Sequence, residues 1–344
     1  MVPFVAPEEL ARRLGVKFNV RLGANESVFG ASPLAIEAMQ RQTAEAQWYG
    51  DPESRVLREA LAEKFGGTPE NFVVGPGIDG LLIHIARAYT TTGDRVASTL
   101  GTYPTFEFAF LQTGAELIRS PYVNHRVDLF ALAETPAKIV YMANPDNPSG
   151  SLLSREELEQ FRKTLHEETL WILDEAYADF VHDGFLPQLD LDDKNVLRLR
   201  TFSKAHGMAG IRIGFVMGHK DTLAPLHQVR GHFEVSSVAQ SGALASLMDP
   251  NHLVKVVAGN ANGREELSSI LRQFGLRPLA SHTNFVAVEV GPTSAELLIK
   301  LLLAGIFIRK PMQPPLDQCV RITIGRTEDH AILAEALQTI FETD

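Results

Sequence analysis

The sequence predicts a doubly wound α/β fold on a mostly parallel sheet, joined to a smaller α+β unit. Three observations predict it. Helix-length and strand-length apolar patterns alternate along the first two thirds of the chain. Some strand runs, such as "LWIL", are apolar throughout, as strands covered on both faces are. After about residue 245 the rhythm changes, with no Pro/Ser-rich linker or repeat between the two parts. The predicted division is a large unit over 40–245 and a small one formed by 1–39 with 246–344.

In chain order, "SPLAIEAMQRQTAEAQ" and "PESRVLREALAEKFG" read as helices, each opened by a capping or first-turn residue. "NFVV" is a strand, "DGLLIHIARAY" a helix and "DRVAST" a strand. "PTFEFAFLQTG" is a helix ended by Gly114, and "AELIRSP" and "AKIVYMA" are strands. "SREELEQFRKTLHE" is a helix, and "TLWILDEAY" and "NVLRLR" are strands. The small unit has a long amphipathic helix from about Asn251 to Phe274, then "NFVAVEV", the helix "SAELLIKLLLAG", "IFIRK", "CVRITIG" and a last helix.

Of 344 residues, 45% are hydrophobic and 22% charged, an ordinary globular balance. A net charge of −10 argues against a general nucleic-acid or anionic-membrane surface. The single cysteine, Cys319, lies in a strand-like run, reads as core rather than nucleophile, and excludes an internal disulfide. The N-terminal run has no basic segment followed by an apolar core, and no apolar stretch is long enough to span a bilayer, so a cytoplasmic location is expected. No metal-ligand cluster is expected.

"VVGPGIDGLL" contains Gly75, Gly77 and Gly80, a literal G-x-G-x-x-G between a strand and a helix. A dinucleotide site also needs an acid at the end of the next strand. Here "DRVAST" runs into "LGTYPTF" with none before Glu107. The simpler reading is a turn at a helix N-terminus whose free N–H groups on Gly77, Ile78 and Asp79 suit one phosphate.

Other strand ends carry chemistry. "LWILDEAY" ends on Asp174, with Tyr177 three residues on, and an aspartate at the end of an apolar strand needs a cation or donors. "NPDNPSG" follows another strand in a rigid turn that carries Asn147 to the same edge. "TFSKAHGMAGIRIG" places Lys204 and Arg212 in an otherwise small and apolar run, with Ser203 before the lysine. A shielded lysine loses its proton more readily and can form a Schiff base. Pyridoxal phosphate needs such a lysine, a carboxylate facing its ring nitrogen and a phosphate cradle. Lys204, Asp174, and Arg212 with Ser203 and the 77–79 turn supply them. Asn147 and Tyr177 can bond the ring's phenolic oxygen, and Tyr103 can stack on the ring face.

The order "WYGDP", "GPGID", "TYPTF", "NPDNPSG", "DEAY", "SKAHGMAGIRIG" and "VRITIG" resembles the fold type I pyridoxal-phosphate aminotransferases, and within them the histidinol-phosphate aminotransferase family. The resemblance runs from "LGANES" to "VRITIGRTEDH". It implies a large domain with a seven-stranded type of sheet, and Lys204 as Schiff-base residue and proton shuttle. It implies that Tyr49 reaches the cofactor phosphate of a neighbouring subunit in a homodimer. It also adds Asn25, Arg309 and Arg321 to the substrate-binding set. Arg309 and Arg321 lie in strand-like runs, where an inward arginine needs an anion. The implied reaction moves an amino group between an anionic amino substrate (histidinol phosphate or an amino acid) and a 2-oxo acid such as 2-oxoglutarate.

The chain departs from that pattern at Ile78, Gly80, Gly101, the segment His232 to Gln240, and Arg326. Three other functions are set beside the first: a decarboxylase or lyase of an amino-acid phosphate on the same scaffold, a nicotinamide oxidoreductase, and a non-catalytic binding protein. Carbon dioxide release without amino transfer would mark the lyase.

Overall fold

The computed structural model describes residues 5–342. Its centre is a seven-stranded sheet in the order Phe72–Gly75, Gly214–Gly218, Val196–Thr201, Leu170–Asp174, Ile139–Ala143, Arg95–Thr99, Glu116–Ser120. Neighbours are parallel except at Gly214–Gly218, which runs antiparallel to both strands beside it. That strand, "GFVMG", is not in the sequence reading. Its flanking glycines hide it, yet all five residues are buried.

The central strands are buried along their whole length because helices cover both faces. On one face Ile139, Tyr141, Leu170 and Ile172 meet Leu81, Ile85, Phe106 and Phe110 from the helices Gly77–Tyr89 and Pro104–Leu111. On the other, Val140, Met142, Trp171 and Leu173 meet Leu158 and Phe161 of the helix Arg155–Thr164. That helix starts where the sequence places it, through reciprocal bonds between Ser154 and Glu157.

The smaller unit has its own core around a three-stranded antiparallel sheet of Cys319–Thr323, Phe285–Glu289 and Arg277–Pro278. The N-terminal segment joins it: Val20 pairs in parallel with Ile306, and Val20 and Leu22 enter that core. The expected boundary is residue 40. It cuts the helix Pro33–Thr43, whose Ala35 is buried with Leu57, Leu61 and Phe72 in the larger unit's packing. An unforeseen helix, Ser237–Leu247, contributes Ala239 and Ala243 to the same cluster. Among the described residues no helix is long and apolar enough to cross a membrane.

Candidate active site

The parallel strands end at one edge of the sheet, and the predicted residues follow them. Gly77 comes after Phe72–Gly75, Tyr103 after Arg95–Thr99, Asn147 after Ile139–Ala143, Tyr177 after Leu170–Asp174 and Lys204 after Val196–Thr201. Arg212 precedes the antiparallel strand and so starts from the same edge. This is the edge where open α/β sheets bind ligands.

Asp174 is buried, and its two oxygens have separate donors: the Tyr141 hydroxyl at 2.7 Å and the Ala176 N–H at 3.0 Å. Burial pushes its carboxyl up to about 6. The next residue, Glu175, is also buried, and burial works to raise it, but the guanidiniums of Arg198 and Arg200 hold it below the usual carboxylate range. That ion pair network anchors the turn between Asp174 and Tyr177.

Lys204 is partly buried, and its amine donates to the backbone carbonyl of Asn25 at 3.2 Å. Burial, with Arg321 and Arg212 nearby, brings it down to about 8. Asn25 is a buried hub in the left-handed region, φ 54°. Its side-chain amide donates to the Tyr177 hydroxyl at 2.8 Å, its Oδ1 accepts from Thr323, and its carbonyl also accepts from Asn284. Asn25, expected at the substrate, thus has its side chain on Tyr177 and Thr323.

The residues expected at a phosphate lie together. Gly77 takes φ +76°, and a Cβ there would come within 2.5 Å of the Arg212 guanidinium. Only glycine lets the turn sit against that cation. Arg212 also donates to Asp79 at 3.4 Å and reaches Ser203 Oγ at 3.4 Å. Asp79 accepts from the Tyr103 hydroxyl at 2.7 Å, which holds the Tyr103 ring over this edge. Ile78 points into the core and leaves only its backbone to the turn.

Two departures have steric causes. A Cβ on Gly80 would meet the Pro76 ring at 2.4 Å. Gly101 takes φ +84°, with Gln313 where its Cβ would lie. The segment 232–240 lines the Tyr49 loop: Phe233 stacks on Tyr49 at 4.5 Å, and Gln240 donates to the Asp51 carbonyl at 2.9 Å. Tyr49 is 83% exposed. Arg326 reaches the Val28 carbonyl at 3.4 Å from an exposed position.

Arg321 lies at the junction of the two units. It donates to Asn147 Oδ1 at 2.6 Å and to the Gly23 carbonyl at 3.2 Å, while its buried Nε has no partner. Arg309 is its direct partner in an antiparallel bridge, the two exchanging backbone bonds of 3.3 and 2.7 Å. Opposed residues of such a pair project to the same face.

Two residues that the sequence reading passes over belong here. Tyr141 is visible in "AKIVYMA" only as an apolar-strand aromatic, and its bond to Asp174 needs the strand register. Thr323 holds Asn25 from the small unit. Among the described residues no group of His, Cys, Asp or Glu gathers to hold a metal.

The residues fit pyridoxal phosphate on three observations. A buried carboxyl with a raised proton affinity, Asp174, suits a protonated ring nitrogen. The Lys204 amine, on the same sheet edge, gives up its proton more readily than an ordinary lysine. A glycine turn at a helix N-terminus packs on an arginine.

The family model for aminotransferase class I and II matches residues 19–337. A histidinol-phosphate aminotransferase of Moorella thermoacetica is 34% identical over 98% of this chain and 90% of its own length. The crystal structure of histidinol-phosphate aminotransferase from Sinorhizobium meliloti in complex with pyridoxal-5'-phosphate is 39% identical. It superposes with a TM-score of 0.96 over 99% of this chain and 95% of that one. An L-threonine-O-3-phosphate decarboxylase of Porphyromonas gingivalis, 23% identical with a TM-score of 0.81 over 94% of this chain and 99% of that one, shares the fold.

Proposed function

Because this chain belongs to the class I and II aminotransferases and depends on pyridoxal phosphate, we propose that it moves the amino group of a phosphorylated amino alcohol, histidinol phosphate first, to a 2-oxo acid such as 2-oxoglutarate. The observation that carries the substrate assignment is the bridge between Arg309 and Arg321. Two like charges directly opposed on a sheet repel. An oxyanion with several acceptors relieves that repulsion, and a phosphate or a dicarboxylate offers them. The names of the relatives at 34% and 39% identity favour the phosphate.

When bound, the cofactor supplies an aldehyde carbon that takes the amino group and a cationic ring that withdraws electrons from the substrate carbon. Asp174 holds the proton on the ring nitrogen. Lys204 would hold the cofactor's aldehyde carbon and would move the proton at the substrate's α-carbon, a role that its lowered proton affinity suits. Arg212, Ser203 and the N–H groups of Gly77, Ile78 and Asp79 hold the phosphate. Asn147 and Tyr177 would bond the phenolic oxygen, and Tyr103 would cover a ring face. Arg321, assisted by Arg309, orients the substrate anion, and Asn25 holds Tyr177 beside it.

Tyr49, exposed on its loop, would complete the phosphate site of a second copy, so the active unit is a homodimer, working in the cytoplasm without nucleic acid or membrane. A large unit over 40–245, extended to take in the helix Pro33–Thr43, holds the cofactor, and the remainder carries Arg309 and Arg321.

The test is the cofactor's absorbance as histidinol phosphate, an aromatic amino acid and a dicarboxylic amino acid are added singly. The expected result is a response at the lowest concentration to histidinol phosphate, with no gas released. A stronger response to a dicarboxylic amino acid moves the substrate class. Carbon dioxide without amino transfer replaces the reading with a decarboxylase.

A further inference from the structure

Tyr141 is fully buried in the middle of the strand Ile139–Ala143, among residues that are otherwise apolar. Its ring stacks on Phe106 with centroids 4.4 Å apart and planes 15° from parallel. Phenylalanine would pack there equally well, and a hydroxyl desolvated in a core is unfavourable unless it is bonded. The strand register says what it serves. Ala143 pairs with Asp174, so Tyr141, two residues earlier, shares the face of Asp174. A phenol reaches forward about two residues along a strand, and the hydroxyl meets Asp174 Oδ2 at 2.7 Å. The Ala176 N–H holds Oδ1, so the carboxylate is fixed from two sides.

We propose that Tyr141 is a positioning residue for the cofactor: its hydroxyl holds the Asp174 carboxylate in the orientation and charge state that a protonated ring nitrogen needs. The proposal rests on the assignment of Asp174 to that nitrogen. The surroundings give Tyr141 something to offset. Burial and the neighbouring Asp79 and Glu175 all favour a protonated Asp174, whereas the bonds from Tyr141 and Ala176 favour the ionised form. Tyr103 and Asp146, which face Tyr141, and Tyr177, which faces Asp174, are a carboxyl and phenols that give the carboxylate no positive charge.

The experiment uses the holoenzyme loaded with cofactor labelled with 15N at the ring nitrogen. It compares wild type, Tyr141→Phe, Asp174→Asn and the double variant. Two quantities are read across mildly acidic to mildly alkaline pH: the 15N shift of the ring nitrogen and the cofactor's Kd. In Tyr141→Phe the nitrogen should lose its proton at a lower pH than in wild type. Cofactor binding should weaken roughly tenfold, and its acid-side loss should begin at a higher pH, because Asp174 then protonates sooner. In the Asp174→Asn background, adding Tyr141→Phe should leave the 15N shift unchanged. A Tyr141→Phe enzyme with wild-type shift, Kd and pH profile, beside an impaired Asp174→Asn, overturns the role of Tyr141 alone. An Asp174→Asn enzyme that keeps its ring proton and its affinity overturns the assignment of Asp174 instead. A further tenfold loss in the double variant shows that Tyr141 acts through packing, and also overturns the proposal.

Discussion

Arg321 of the small unit donates a 2.6 Å hydrogen bond to Asn147 of the large unit, so the guanidinium proposed for the substrate anion is tied to the amide proposed for the cofactor. Its Nε is buried without a partner, and an orphaned charged donor of this kind is expensive to keep. A bound oxyanion would relieve it.

Arg321→Ala should therefore cost about 1.5–3 kcal/mol of anion binding, the loss of a charge-assisted hydrogen bond. The damage should appear in kcat/KM for anionic substrates, with cofactor affinity little changed. Arg309→Ala should act in the same direction. Steady-state kinetics with a panel of anionic amines, beside a cofactor titration, checks this. If Arg321→Ala leaves kcat/KM unchanged for every amine, the anion site lies elsewhere.

Asp174 makes a prediction about stability with a definite sign. Burial raises its folded carboxyl from 3.8 to about 6. In the cofactor-free chain the unfolded state therefore ionises first, and stability falls as pH rises through that window. Cofactor-free Asp174→Asn should be more stable than wild type at neutral pH, by about 3 kcal/mol. That advantage should shrink on acidification through the window and vanish below it. Loaded with cofactor, the order should reverse, with kcat lowered by several kcal/mol of barrier, because the missing charge matters most in the transition state. Thermal or urea unfolding of both forms across pH measures it. A cofactor-free variant that is destabilised equally at every pH would contradict the account.

How much of this was legible beforehand follows from what each residue depends on. Strand ends such as Asp174 and the lysine run at Lys204 announce themselves, because a charge after apolar residues has a local signature. Pairings across strands do not. Tyr141 with Asp174, and Arg309 with Arg321, depend on register between segments far apart in sequence. Asn25 reads as an ordinary polar residue, since neither its left-handed backbone nor its bonds to Tyr177 and Thr323 have a local signal. The strand Gly214–Gly218 is hidden by its short run between glycines, and the helix Pro33–Thr43 is legible while the packing of its Ala35 on Leu57, Leu61 and Phe72 is not.

Tyr49, 83% exposed and stacked on Phe233, tests assembly. If it completes a second copy's phosphate site, Lys204→Ala and Tyr49→Phe chains damage opposite halves of a shared site. Mixed and reassembled, they should recover up to about a quarter of wild-type sites, since half the dimers are mixed and each has one intact site. Activity after mixing, with sedimentation to confirm exchange, is the measurement. No recovery in demonstrably mixed dimers, or a monomer that binds cofactor fully, removes Tyr49 from the site.

The central claim is that Lys204 bonds the cofactor, and borohydride tests it most directly. The holoenzyme is reduced, digested and mapped by mass spectrometry. The account predicts one pyridoxyl phosphate group per chain, on the peptide carrying Lys204, and none after Lys204→Ala. A label on any other lysine, or a Lys204→Ala enzyme that is still labelled and turns over normally, would contradict it.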